Sequence, residues 1–214
     1  MSTRSDIIVH CTDNKWRRVY CHWDGYLEHN GRILFDHYTD RVLATDLVMP
    51  GDMSSLGAKG GKRTKWSDTE GPYYTRFTEG PHQYEMLPQF KGITLYYAGR
   101  QDQTVEQNGR LEKLTGKALI DAHKPIVGDS LFDVWPPEDT WTEYTYVFAD
   151  HHDGRGFTWW VGDPDEGSQT LVDLGEALQG KRTIRSNIKM FGGIVLGKHG
   201  SVDPTLDTRD EANR

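Results

Sequence analysis

Two short β-prone runs open the chain, Asp-Ile-Ile-Val-His-Cys at 6–11 and Trp-Arg-Arg-Val-Tyr-Cys-His-Trp at 16–23, and only Thr-Asp-Asn-Lys separates them. Runs rich in β-branched and aromatic residues read as strands, and a four-residue polar link rich in turn formers reads as a reversal. The spacing therefore predicts an N-terminal β-hairpin, and a hairpin needs further strands or helices to cover its apolar face. A second hairpin is predicted at 141–149 and 156–162, around Asp153-Gly154. Gly92 to Gly99 is a further strand candidate, bounded by glycine at both ends.

Helical signals are fewer. Asn30 is placed to cap a helix running to His37, with Ile33 and Leu34 inward, and Thr39 to cap a second one. In that second helix Val42, Leu43 and Leu47 recur at helical spacing before Pro50-Gly51 stops it. Ser168 is placed to start a short helix to Leu178, with Gly180 as its stop, and a short helix is also expected near Val105 to Leu114. The predicted class is α+β: an antiparallel sheet of hairpins with a few short helices packed on it.

A chain of 214 residues supports one sizeable core. The expected organisation is one domain over 1–198, with a long glycine-rich loop region at 51–90, an insertion at 101–137 and a polar flexible tail at 199–214. Only 36% of residues are apolar, so the 7 Trp, 10 Tyr and 7 Phe must supply much of the buried area. The net charge of -7 disfavours duplex DNA as a partner. Cys11 and Cys21 are too few for a disulfide scaffold, no leader pattern opens the chain, and no apolar run approaches the roughly 20 residues of a membrane span. A cytoplasmic setting is expected.

The densest chemistry lies in Tyr20-Cys-His-Trp-Asp-Gly-Tyr26. Strand alternation would put Tyr20, His22 and Asp24 on one face and Cys21 with Trp23 on the other. Read structurally, this is a corner in which Trp23 fills the core, Asp24 caps a turn and Gly25 supplies an unusual backbone angle. Read functionally, Tyr20, Trp23 and Tyr26 stack on a ring while Arg4, Ser5, His22 and Asp24 bind polar groups, the guanidinium of Arg4 suiting phosphate oxygens. The loop from Gly57 to Lys65 adds Lys59, Lys62 and Arg63, although it lacks the glycine spacing and the final Ser or Thr of a phosphate-binding Walker loop.

Other constellations are weaker. His10-Cys11 and Cys21-His22 contain the ligand types of a zinc site, but adjacent strand residues point to opposite faces, so no metal is expected. Cys21 as a nucleophile beside His22 meets the same objection. His151-His152-Asp153 falls in a hairpin turn, where polar residues are expected anyway. Trp159-Trp160 sends one indole to each face of its strand, leaving at least one for a binding surface.

The opening Met1-Ser-Thr-Arg-Ser5, the Tyr20 to Tyr26 run, His37-Tyr38-Thr39 and Gly51-Asp52-Met53-Ser54-Ser55-Leu56-Gly57 together resemble a family of uncharacterised phage and prophage proteins. The resemblance covers the first 57 residues and the Tyr144 to Trp160 hairpin. It implies a phage origin and a host-cytoplasm setting, and it transfers no catalytic residue. The expected function is that of a phage accessory protein, acting in host takeover or anti-defence. It would bind a nucleotide-like or other small anionic ligand, or a host protein, without a cofactor. The alternatives are a small hydrolase using His22 and Asp24, with Cys21 as nucleophile, and a virion or assembly component. The composition is compatible with a homo-oligomer.

Overall fold

The computed structural model describes residues 3–60, 92–97, 121–137, 141–150, 156–163 and 167–180, with the backbone of six further short strands. In chain order the strands are β1 (Ser5–His10), β2 (Trp16–Cys21), β3 (Met53–Ser55), β4 (Thr75–Phe77), β5 (Tyr84–Met86), β6 (Leu95–Tyr96), β7 (Asp102–Gln107) and β8 (Arg110–Thr115). They continue as β9 (Ile126–Gly128), β10 (Tyr144–Asp150), β11 (Phe157–Asp163), β12 (Gly167–Asp173), β13 (Val195–Leu196) and β14 (Val202–Asp203). The helices are α1 (Arg32–His37), entered through a π-helical turn at Leu27–Gly31, then α2 (Arg41–Val48), α3 (Leu131–Val134) and α4 (Leu174–Leu178).

Eight strands form one sheet in the order β12-β11-β10-β1-β2-β3-β6, with β9 beside β2. Both predicted hairpins are present, β1 with β2 and β10 with β11. The class is α+β, but the all-antiparallel expectation is corrected. β1 pairs with β10 in parallel from Ser5 against Tyr144 to Val9 against Phe148, and β2 pairs with β3 in parallel. A parallel pair needs a long crossover, and the chain between β1 and β10 supplies it.

Parallel pairing at the centre goes with burial on both faces. Ile7, Val9, Tyr146, Phe148, Trp159 and Val161 pack on one side with Leu34, Ala44, Leu47 and Leu174 from the helices and Tyr38 from the link after α1. Ile8, Trp16, Val147, Ala149 and Trp160 pack on the other with Leu131 and Val134. Neither indole of Trp159-Trp160 is left for a binding surface: Trp159 donates its Nε1–H to the Tyr38 carbonyl at 2.8 Å, and Trp160 is fully buried. An indole of roughly 200 Å² removed from water at about 25 cal/mol per Å² contributes about 5 kcal/mol before entropy is charged against it.

Several local expectations are corrected. Asn30 lies inside the π-helical turn and caps nothing; Asp40, not Thr39, caps α2, accepting from the N–H groups of Val42 and Leu43. The buried side of α2 is Ala44, Thr45, Leu47 and Val48, with Val42 and Leu43 outside. Residues from Gly167 to Asp173 are strand β12, so the last helix starts at Asp173, whose side chain accepts from Glu176 N–H, rather than at Ser168. Asp102–Gln107 and Arg110–Thr115 pair as a hairpin where a helix was expected; Asn108-Gly109 between them is a strong hairpin signal that the spacing of Val105 and Leu114 obscured. Of the predicted 92–99 strand, Leu95–Tyr96 is strand among the described residues 92–97, and 98–99 lie outside them. The start of the predicted 51–90 loop is built into the sheet, with Met53, Ser54 and Leu56 buried. Lys62, Arg63, the 151–153 turn and most of the 199–214 tail lie outside the described residues.

Candidate functional site: the corner after β2

The end of β2 is shaped by three backbone constraints. His22 and Trp23 donate their N–H groups to the Met53 and Ser54 carbonyls, both at 3.1 Å, so the chain keeps to β3 after the strand has ended. Asp24 then adopts φ +56°, the left-handed region, and Gly25 donates to the Thr3 carbonyl at 2.8 Å. The unusual angle expected at Gly25 thus belongs to Asp24. Gly25 is required for closeness instead: a Cβ there would lie 2.6 Å from the Arg4 carbonyl carbon. The corner folds residues 22–25 over the start of β1, with the Tyr146 hydroxyl donating to the Gly25 carbonyl at 2.8 Å.

This crossing splits the predicted site residues into an inner and an outer set. Inside, Asn30 donates from Nδ2 toward Ser5 Oγ at 3.2 Å, Cys21 Sγ at 3.4 Å and the Trp23 carbonyl at 3.3 Å. Ser5, Cys21 and Asn30 are all fully buried, so Ser5 is withdrawn from the phosphate clamp expected with Arg4. Burial also pushes the Cys21 thiol up to about 12, which keeps it protonated at neutral pH and poorly suited to nucleophilic attack.

Outside, Arg4, Tyr20, His22 and Trp23 form one contiguous group. The Tyr20 hydroxyl and His22 Nδ1 are 2.8 Å apart, and the His22 ring meets the Trp23 indole edge-on with centroids 4.7 Å apart. Burial raises the Tyr20 phenol, while Arg4, which hydrogen-bonds it, pulls the other way. Trp23 is 48% exposed, so the structural expectation that it fills the core is corrected. An indole left half in water against His22, which leads through Tyr20 to the Arg4 cation, is the composition of a stacking ledge.

The same face of the hairpin carries a polar floor that the sequence reading missed. Thr142 donates to Asp6 Oδ2 at 2.8 Å, and Arg18 Nε lies 3.8 Å from Asp6 Oδ1. Asp6 is raised, chiefly by burial, with Thr142 and Arg18 opposing and the Asp52 charge reinforcing the rise. Arg18 Nη1 is buried with no hydrogen-bond partner among the described residues. Asp6 and Arg18 stand at alternate positions with opposite charge, Asp6 across from Tyr20 and Arg18 across from Ile8. Knowing that register would have exposed the pair in the sequence.

A second missed group is Asp52 with His123. His123 Nδ1 and Asp52 Oδ2 are 3.0 Å apart, and the Tyr97 ring stacks on the imidazole at 4.7 Å. These residues come from segments expected to be loop and insertion, separated by 71 positions, so no local pattern announces them.

The remaining predicted residues do not join the outer group. Asp24 is exposed, and its left-handed backbone breaks the alternation that would have aligned it with Tyr20 and His22. Tyr26 lies against His29, with ring centroids 5.9 Å apart. Lys59 is exposed and its backbone pairs with the segment at 92–94. His10 stacks on Trp16 at 4.7 Å while Cys11 is buried in the helix-covered core, so the two side chains diverge as strand alternation requires. Among the described residues, no helix is long and apolar enough to cross a membrane.

A comparison with protein-family models, with curated proteins and with solved structures found no match in any of the three.

Proposed function

We propose that the chain works by binding, and that the ledge of Arg4, Tyr20, His22 and Trp23 takes a ligand with a planar ring on one side and an anionic group on the other, as in a nucleotide. The observation that carries this reading is the exposure of Trp23. In a chain that needs its aromatics for the core, an indole held half in water by a histidine that is itself hydrogen-bonded to Tyr20 is placed to stack. Arg4 supplies the charge an anion requires and the donors to bind its oxygens. The reading extends to a phage accessory protein acting on host components, which is what the resemblance expected from the N-terminal motifs would imply.

The hydrolase reading draws less support, because a buried Cys21 removes its nucleophile and leaves His22 and Asp24 to work through water. A thermal-shift titration with nucleoside monophosphates tests the binding reading, since a ligand bound only by the native state raises the melting temperature. The expected result is a concentration-dependent rise that Trp23→Ala and Arg4→Ala each abolish. Flat responses across the series reject it, and conversion of the nucleotide would favour the hydrolase.

A further inference from the structure

The outer face of α2 is the wrong kind of surface for a helix that faces water. Ala44, Thr45, Leu47 and Val48 point into the core, which leaves Val42, Leu43, Asp46 and Met49 on the opposite side. At 100° per residue these four fall within about a third of a turn of one another, so they make one continuous strip. Three of the four are apolar and well exposed, Val42 at 59%, Leu43 at 42% and Met49 at 48%. A surface helix is expected to be polar on its outer side, and a helix apolar on both sides is one that is covered on both.

Charge selects the occupant. Arg41, the one cation of the helix, is turned away: its guanidinium donates to the His10 and Cys11 carbonyls and to Asn14 Oδ1. The strip is therefore left with Asp46 at its centre and Asp40 at its start, and the chain as a whole carries a net charge of -7. A second copy of the chain would set Asp46 against a like charge across an apolar contact, which is costly. A partner whose apolar stripe is edged with Lys or Arg meets both features.

We propose that the Val42, Leu43 and Met49 strip of α2 is a docking surface for a basic amphipathic helix of another protein. This surface is separate from the Trp23 ledge, and it stands or falls without it. The probe is a fluorescein-labelled helical peptide of about five turns with leucine along one stripe and lysine elsewhere, followed by anisotropy. The expected result is saturable binding in the range of about 1–100 μM, weakened at least about tenfold by Leu43→Glu or Val42→Glu, by about 1 M salt, and by replacing the peptide's lysines with glutamate. Trp23→Ala leaves it unchanged. Both α2 positions are exposed, so unchanged melting temperatures confirm that the variants fold. Absence of binding, equal binding of the glutamate peptide, or indifference to both α2 variants overturns the proposal. A concentration-dependent dimer that Leu43→Glu dissociates would overturn it as well, assigning the strip to a second copy.

Discussion

Asp52 Oδ1 accepts the backbone N–H of Tyr20 at 2.8 Å, at the point where the neighbour of β2 changes. Trp16 to Arg18 pair with β9 and Cys21 pairs with β3, so the donor of Tyr20 falls in the gap between two partners. A buried N–H without an acceptor costs about 1–3 kcal/mol, and the Asp52 carboxylate fills that vacancy while its other oxygen holds His123. Gly51 and the Asp52 backbone complete the junction. Asp52 N–H donates to the His123 carbonyl at 2.8 Å, and Gly51, at φ +103°, lies so close that a Cβ would sit 2.0 Å from that same oxygen.

Asp52→Ala is therefore expected to destabilise the protein by about 1–3 kcal/mol in urea unfolding, and Asp52→Asn by less than half as much, because an amide oxygen still accepts from Tyr20. Equal losses from the two substitutions would show that the carboxylate matters through His123 alone.

The corner at residues 24 and 25 separates two effects that the sequence presents as one Asp-Gly pair. Gly25→Ala forces a methyl group into the Arg4 backbone and is expected to cost about 1–3 kcal/mol or more. Asp24→Gly relieves a left-handed residue and is expected to stay within about 1 kcal/mol of the parent, on either side. Both stabilities come from the same denaturant titration, and a benign Gly25→Ala would contradict the close crossing over β1.

Apart from the β7–β8 hairpin, legibility in the sequence followed the range of the interactions. Both hairpins were readable because their strands are adjacent in the chain and their turns carry their own chemistry. The parallel pairing of β1 with β10 was not, since Ser5 and Tyr144 are 139 positions apart and nothing local encodes their register. Val42 and Leu43 satisfy a helical period equally well facing in or out, and it is Ala44, Leu47 and Val48 that enter the core. At the site, Tyr20 and His22 were legible from alternation, whereas Ser5 turned inward because Asn30, a residue assigned to a cap, took its hydroxyl. Asp6, Asp52 and His123 escaped notice because burial and distant partners, not spacing, give them their environment.

Burial of both thiols predicts their chemistry. Cys11 and Cys21 are inside the same core, and burial raises each above its ordinary value. Alkylation by iodoacetamide near pH 8 is expected to run at least about a hundredfold slower in the native protein than in denaturant, because reaction must await opening. Modification of Cys21 at a rate near that of a free thiol would place it outside the core and restore it as a candidate nucleophile.

Asp6 sets the sign of a pH effect. Its carboxyl is raised above 3.8 in the folded protein, chiefly by burial. Between that value and the higher folded one the native state binds more protons than the unfolded chain, so stability from this group falls as pH rises. At neutral pH the ionised, buried carboxylate is a net cost, partly offset by Thr142 and Arg18. Asp6→Asn keeps an oxygen for Thr142 and removes the titration. The stability of Asp6→Asn relative to the parent is therefore expected to be highest near pH 7 and to decline as the pH is lowered toward about 4, read from urea midpoints at each pH. A difference that grows on acidification would mean that Arg18 outweighs burial, and that Asp6 and Arg18 form a strong pair in spite of their 3.8 Å separation.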